Sequence, residues 1–231
     1  MDLYIFDIDG TITNTVDIDD NCFQQTFEEL YGINRNQINW DLLKQEASGT
    51  DSGLFSSLYR QLFNKEISES ELRKTKIYFL KLLDNNLKKI DENKIEIPGA
   101  TNLINKLLEN NFAVSIATGC WYESAIFKLQ LIDFDTNKVP LSHSDISNER
   151  PEILLNAIEK SKILYKKTNF DKITYIGDGF WDYLSCKKIG INFIGLDYNN
   201  KRNLENVNGY KVFNSFSEIE KFILNNSREI V

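Results

Sequence analysis

Apolar residues along this chain follow two rhythms. Short consecutive runs occur at Leu3–Phe6, Ala113–Ala117, Val139–Leu141, Ile173–Ile176, Asn192–Leu196 and Tyr210–Phe213. Runs of this length, bounded by turn residues, predict buried strands. Between the later runs, apolar positions return at helical spacing over Trp121–Leu131, Pro151–Lys162, Trp181–Ile189 and Ser217–Asn225. Strands alternating with helices predict an α/β fold: a mostly parallel sheet with helices on both faces.

Residues Val16 to about Asn93 break that alternation. They hold no convincing strand but several amphipathic stretches: Asp19–Tyr31, Trp40–Glu46, Ser52–Phe63 and Ser70–Lys89. In the last, Leu72, Ile77, Leu80, Leu83 and Leu87 recur at near-helical spacing. The pattern predicts a helical insert, residues 16–93, between two parts of one sheet domain, residues 1–15 and 94–231. The expected linkers are Thr13–Val16 and Asn93–Pro98, after which Pro98-Gly99 opens a return helix, Ala100–Leu108.

Composition narrows the class. With 231 residues, 42% hydrophobic and 26% charged, the chain can bury a sizeable core. Its net charge of −7 and the lack of a basic block argue against a nucleic-acid partner. No apolar run approaches the roughly 20 residues of a membrane span. A strand that starts after one residue leaves no room for a signal peptide, so the expected location is cytoplasmic. Cys22, Cys120 and Cys186 are odd in number and lack metal-ligand or redox spacing, which fits reduced thiols in a cytosol.

The candidate chemistry starts where the first strand ends. Asp7-Ile8-Asp9-Gly10-Thr11 places two carboxylates just past a strand C-terminus, the side on which open α/β sheets bind ligands. An Asp there can be a nucleophile toward phosphorus while its neighbour handles the proton; a plain Asp/Gly turn has the same composition. Three further segments stand out. Ala113–Ala117 ends in Thr118-Gly119, Arg150-Pro151 opens a helical stretch, and Ile173–Ile176 runs into Gly177-Asp178-Gly179-Phe180-Trp181-Asp182.

Taken in order, these four segments resemble the motifs of the haloacid dehalogenase superfamily, in the form found in its phosphatases. The match spans Asp7 to Asp182 and the strand–helix rhythm continues beyond it. The resemblance implies a Rossmann-like core with a helical cap between the first and second motifs. It also implies a Mg²⁺-dependent phosphatase that hydrolyses a small phosphomonoester through an aspartyl-phosphate.

The family pattern carries over position by position. Asp7 would attack phosphorus. Asp9 would protonate the leaving alkoxide and later activate water; the dehalogenase branch lacks a carboxylate here. Mg²⁺ would be held by Asp7, the Asp9 backbone carbonyl and Asp178. Asp182 would hold a metal-bound water or Arg150. Thr118 and the Gly119 N–H would bind phosphoryl oxygens. Arg150, standing where the family more often has Lys, would neutralise charge with a planar guanidinium. Each position also has a structural reading. Asp178 and Asp182 suit a helix N-terminus, Thr118 suits a helix cap, and Arg150 suits a solvated helix start.

Other residues admit two readings as well. Trp121 and Trp181 follow motif strands and would either wall the site or pack in the core. His143 is expected to be peripheral, because the mechanism needs no imidazole. The insert segment Ser48-Gly49-Thr50-Asp51-Ser52-Gly53 would either reach over the leaving group, with Thr50 and Asp51 reading the substrate, or simply start a helix. Two alternative functions stay open. A sugar phosphomutase shares the first half-reaction, although mutases of this superfamily tend to carry a cap-hinge His that this insert lacks. A catalytically silent phosphate-binding protein is the other. The expected partner is a small phosphate ester; monomer and dimer are not distinguished.

Overall fold

A computed structural model of the chain describes residues 1–40, 43, 49–91, 94–200, 204 and 209–226. Six strands form one parallel sheet: β1 Leu3–Phe6, β2 Ala113–Ala117, β3 Leu141–Ser142, β4 Ile173–Gly177, β5 Asn192–Leu196 and β6 Lys211–Phe213. Their spatial order is β3-β2-β1-β4-β5-β6. β1 lies at the centre, with Leu3 in register with Ala113 on one side and Ile173 on the other. Chain order reverses across β1, so a crevice opens at the C-terminal ends of β1, β2 and β4.

The central strands read as unbroken apolar runs because both faces of the sheet are covered. Successive residues alternate between two layers. Tyr4 and Phe6 pack with Val114 and Ile116 against three helices: α4 (Ala100–Glu109), α5 (Tyr122–Gln130) and α8 (Phe216–Asn226). Leu3, Ile5 and Tyr175 face the other way, toward α6 (Arg150–Leu164) and α7 (Phe180–Ile189), through Ile153, Leu154, Ala157, Tyr183 and Cys186. Each large apolar side chain fully buried here is worth roughly 1.5–3 kcal/mol.

Between β1 and α4 stand α1 (Val16–Tyr31), α2 (Asp51–Phe63) and α3 (Glu69–Leu87). They have their own apolar cluster around Phe23, Phe27, Phe55, Phe79 and Leu83. Phe55 is its hub: it stacks on Phe27 at 5.0 Å and on Trp121 at 5.0 Å. Trp121 comes from the sheet domain, so the insert's cluster is anchored to it. The two connecting segments run side by side. Asn14 N donates to Ile95 O at 2.7 Å, Ile97 N donates to Ile12 O at 2.9 Å, and Thr13 pairs with Glu96.

Some boundaries differ from the sequence expectation. The third strand is Leu141–Ser142 rather than Val139–Leu141. Pro140 has no N–H to give to the ladder, although its carbonyl accepts from Ile116 N at 2.8 Å. α1 begins at Val16, three residues before Asp19. The expected helix Trp40–Glu46, Ser48 and the start of the linker Asn93–Pro98 lie largely or wholly outside the described residues. No described helix is long and apolar enough to cross a membrane.

Candidate active site

The crevice collects the motif residues because each sits at, or just past, a strand end. Asp7 extends β1, and its N–H donates to Ile176 O at 2.9 Å. The chain then folds back within a few residues: Gly10 N donates to Thr13 O at 2.7 Å, and Thr13 N to Ile8 O at 2.8 Å. Gly10 has φ +74°, and a Cβ there would overlap the Asp178 carboxylate. Thr118 follows β2; its N–H donates to Ser142 O at 3.0 Å and its Oγ1 accepts from Cys120 N at 3.2 Å. Asp178 follows β4. Asp182 lies in the first turn of α7 and accepts from Gly179 N at 2.9 Å.

Three buried carboxylates meet here. Asp7, Asp178 and Asp182 bring oxygens within 4.8 Å of one another. Arg150, the first residue of α6, faces two of them. Its Nη1 lies 2.9 Å from Asp182 Oδ1 and 3.4 Å from Asp7 Oδ1. The same nitrogen donates to Tyr175 Oη at 3.0 Å, and Tyr175 Oη donates on to Ala117 O at 3.0 Å. Tyr175 thereby ties β2, β4 and α6 together. Burial raises the Asp7 carboxyl above its ordinary value, against the pull of Arg150. Burial pushes Asp182 up to about 7, again opposed by Arg150. One guanidinium among three buried carboxylates leaves the group short of positive charge. All-oxygen donors with surplus negative charge suit a hard divalent cation.

Asp9 sits in a different network. Its Oδ2 accepts from Lys128 Nζ at 2.7 Å and from Cys120 Sγ at 2.6 Å, and its Oδ1 accepts from Thr15 Oγ1. Burial pushes Asp9 up, but the Lys128 ammonium and these hydrogen bonds outweigh it and bring the carboxyl below its ordinary value. Lys128 is completely buried and also bonds Asp19 of the insert. The reading of the sequence missed Lys128, Asp19 and Tyr175. A signal was present: Lys128 falls between Ala125 and Leu129 on the buried face of α5, where a lysine demands a partner.

The insert completes the cavity. Thr50 caps α2, its Oγ1 accepting from Gly53 N at 3.2 Å and donating to Asn148 O at 2.7 Å. Asp51 Oδ2 accepts from Trp121 N at 2.9 Å, and Asp51 N donates to Gly119 O at 2.8 Å. Both therefore make helix-start contacts, and both also line the cavity. Gly49 lies against Arg150. Its carbonyl accepts from Arg150 Nη2 at 2.5 Å. Gly119 permits this: a Cβ there would collide with the Gly49 carbonyl and the Arg150 guanidinium. The two tryptophans divide the roles expected of them. Trp121 is core, donating from Nε1 to Ser52 Oγ at 2.7 Å, whereas Trp181 lines the cavity. His143 lies outside it, with Nδ1 3.2 Å from Asp145 Oδ2 and its ring against Tyr122.

The cavity, about 80 Å³, is thus lined by the motif residues Asp7, Thr118, Gly119, Arg150 and Asp178 together with residues of the insert. Several solved structures share the whole architecture. A hydrolase from Pseudomonas syringae matches with TM-score 0.73 at 21% identity, covering 100% of both chains. β-Phosphoglucomutase from Clostridium difficile matches with TM-score 0.73 at 19% identity, covering 98% of this chain and 97% of that one. CbbY from Rhodobacter sphaeroides, solved with phosphate, matches with TM-score 0.70 at 15% identity over 94% and 95%. No curated protein matches the sequence. The family model for haloacid dehalogenase-like hydrolases matches residues 4–196, and the chain belongs to that family of enzymes.

Proposed function

We propose that this enzyme is a Mg²⁺-dependent phosphatase that cleaves a small phosphate monoester through an aspartyl-phosphate on Asp7. The observation that carries the reading is the placement of one buried carboxylate, Asp7, among a guanidinium, a strand-end Thr-Gly and two further carboxylates. Asp7, Asp178 and Asp182 would hold the metal, together with the Asp9 backbone carbonyl. Bound there, Mg²⁺ supplies charge neutralisation for an anionic phosphoryl group meeting an anionic nucleophile.

The side chains divide the work as follows. An Asp7 oxygen forms a bond to phosphorus as the bond from phosphorus to the ester oxygen breaks. Arg150 and the Thr118–Gly119 turn hold the phosphoryl oxygens, and Tyr175 and Asp182 hold Arg150. Asp9 gives its proton to the departing alkoxide, then takes one from the water that attacks the acyl-phosphate. In the free site Asp9 is ionised by Lys128. An incoming phosphoryl anion raises its proton affinity, which favours the acid form needed first. Residues 16–93 act as a cap whose paired linkers hinge it over the site and exclude water during turnover. Three free cysteines support a cytoplasmic location.

Phosphate release from p-nitrophenyl phosphate tests the reading. Activity is expected with Mg²⁺, to vanish in chelator and to return when Mg²⁺ is restored. Ca²⁺ should substitute poorly, because its larger, looser coordination shell misplaces Asp7. Full activity in chelator refutes the metal assignment. Transfer to a sugar bisphosphate's parent sugar, in place of release to water, would assign a mutase instead.

A further inference from the structure

The start of α2 meets the sheet domain at the turn that follows β2, Thr118 to Trp121, after which α5 begins. Three backbone N–H groups of this turn donate within the protein. Thr118 N goes to Ser142 O at 3.0 Å, Cys120 N to Thr118 Oγ1 at 3.2 Å and Trp121 N to Asp51 Oδ2 at 2.9 Å. The remaining one, Gly119 N, has no acceptor among the described residues. It is the group assigned above to a phosphoryl oxygen. The carbonyls next to it are also held: Gly119 O accepts from Asp51 N at 2.8 Å and Cys120 O from Ser144 N at 2.9 Å. A peptide unit is planar, so a bond at one end fixes the direction of the whole unit. Asp51 thus holds both peptides that follow Gly119, one through its N–H and the other through its carboxylate. With Thr118 N bonded to β3, the turn is fixed on both sides of the unspent N–H.

Asp51 can hold the turn because it is itself fixed. It is the first residue of α2, beside the helix cap Thr50, whose Oγ1 donates to Asn148 O at 2.7 Å. Ser52 Oγ donates to Ser144 O at 3.1 Å and accepts from Trp121 Nε1 at 2.7 Å. Gly49 O accepts from Arg150 Nη2. Four consecutive insert residues therefore bond the sheet domain. Two of them, Gly49 and Asp51, bond the two elements that hold phosphoryl oxygens, Arg150 and the turn. A residue that reads a substrate keeps its polar atoms for the ester; Asp51 spends its N–H and a carboxylate oxygen on the turn's backbone.

We propose that Asp51 is a positioning residue: through it the insert sets the Thr118–Trp121 turn in the shape that binds the phosphoryl group, rather than reading the leaving group. This rests on the phosphatase reading and adds to it how the insert acts on the reaction. The turn is complete only with the insert in place, so phosphate binding and closure of the insert strengthen each other.

The test measures inhibition by inorganic phosphate, and kcat/KM with Mg²⁺, in Asp51→Ala and Asp51→Asn. Alanine removes the acceptor for Trp121 N; asparagine keeps an acceptor oxygen and removes only the charge. Asp51→Ala should raise the phosphate inhibition constant on the order of tenfold. It should lower kcat/KM for p-nitrophenyl, phenyl and propyl phosphate by one common factor, leaving their ratios as in the wild type. Asp51→Asn should restore both quantities toward wild type. Changed ratios would make Asp51 a reader of the leaving group, and an Asn variant as impaired as Ala would make its charge the active feature. Either result overturns the proposal, as does an unchanged inhibition constant in Asp51→Ala. Amide hydrogen exchange in the wild type decides even if a variant misfolds: phosphate with Mg²⁺ should slow exchange at Asp51 N and Trp121 N several-fold. Exchange needs no turnover, so it separates the two readings. Protection without cleavage of any ester leaves the positioning role and refutes the phosphatase; cleavage without protection does the reverse.

Discussion

The two ends of the cavity are built differently. At the phosphoryl end, Asp7, Thr118 and Asp178 continue strands locked in register at the centre of a parallel sheet. Arg150 is pinned there by Tyr175 and Asp182. The rest of the wall is helical side chains from an insert whose apolar cluster closes on Trp121 of the sheet domain, joined through two paired linkers. The motif residues thus stand on strands paired on both sides, whereas the insert's residues stand on helices with fewer ties to the sheet. Lys128 links the ends, because one buried ammonium holds both Asp9 and Asp19.

Substitutions at the phosphoryl end should have the largest effects. Asp7→Asn keeps the shape of the side chain but cannot form an acyl-phosphate, so turnover should fall by on the order of 10⁴-fold or more with the fold intact. Circular dichroism beside phosphate release checks both parts. Asp9→Asn should cost on the order of 10²–10⁴-fold, the range for removing a general acid/base.

At the link, Lys128→Met should act on stability as well as on rate. It leaves Asp9 and Asp19 buried without their counter-ion, a loss of about 3 kcal/mol or more, and Tm should drop by on the order of 10 °C. A variant that melts like the wild type would show that the two ends are not coupled through this residue. In the insert, Phe55→Ala removes the hub of the aromatic cluster and should cost about 3–5 kcal/mol. Divalent-metal binding, read by calorimetry under conditions where the variant stays folded, should hardly change, because the carboxylates belong to the sheet.

The smallest effect is expected at the rim. Asp145 joins insert to sheet domain: its Oδ1 lies 2.5 Å from Lys76 Nζ, and its Oδ2 accepts from Tyr122 N at 2.8 Å. Burial opposes its charge, but hydrogen bonds from His143, Lys76 and Tyr122 outweigh it and hold the carboxyl well below the usual range. A depressed carboxyl stabilises the fold above its unfolded-state value and loses that contribution as pH falls through its folded-state value. Tm measured from pH 5 downward should therefore fall less steeply in Asp145→Asn than in the wild type. The pair is partly exposed, so at neutral pH the difference should be about 1 kcal/mol or less.

The sheet and its strand-end motifs were legible in the sequence for a physical reason. Strands buried on both faces must be short apolar runs, and chemistry at their ends shows as a polar break directly after such a run. The sequence led from Leu3–Phe6 to Asp7 and from Ile173–Ile176 to Asp178 in this way. Lys128 escaped because its partners, Asp9 and Asp19, are far away along the chain; helical spacing showed that it faced inward, not what it would meet. The contact of Gly49 with Arg150 was not legible, since a loop's composition says that it can turn and not where it lands. Its position follows from the missing side chain at Gly119, a contact between segments that no local pattern encodes.

The account turns on Asp7 as the atom that takes the phosphoryl group. The direct measurement is to incubate Asp9→Asn protein with Mg²⁺ and a ³²P-labelled aryl phosphate, quench in acid and map the label. Covalent label approaching one phosphoryl group per active chain, released by hydroxylamine, located on the peptide containing Asp7 and absent from the Asp7→Asn, Asp9→Asn double variant, is the predicted result. Turnover of the same ester without label on Asp7, or with label on another residue such as His143, would contradict it.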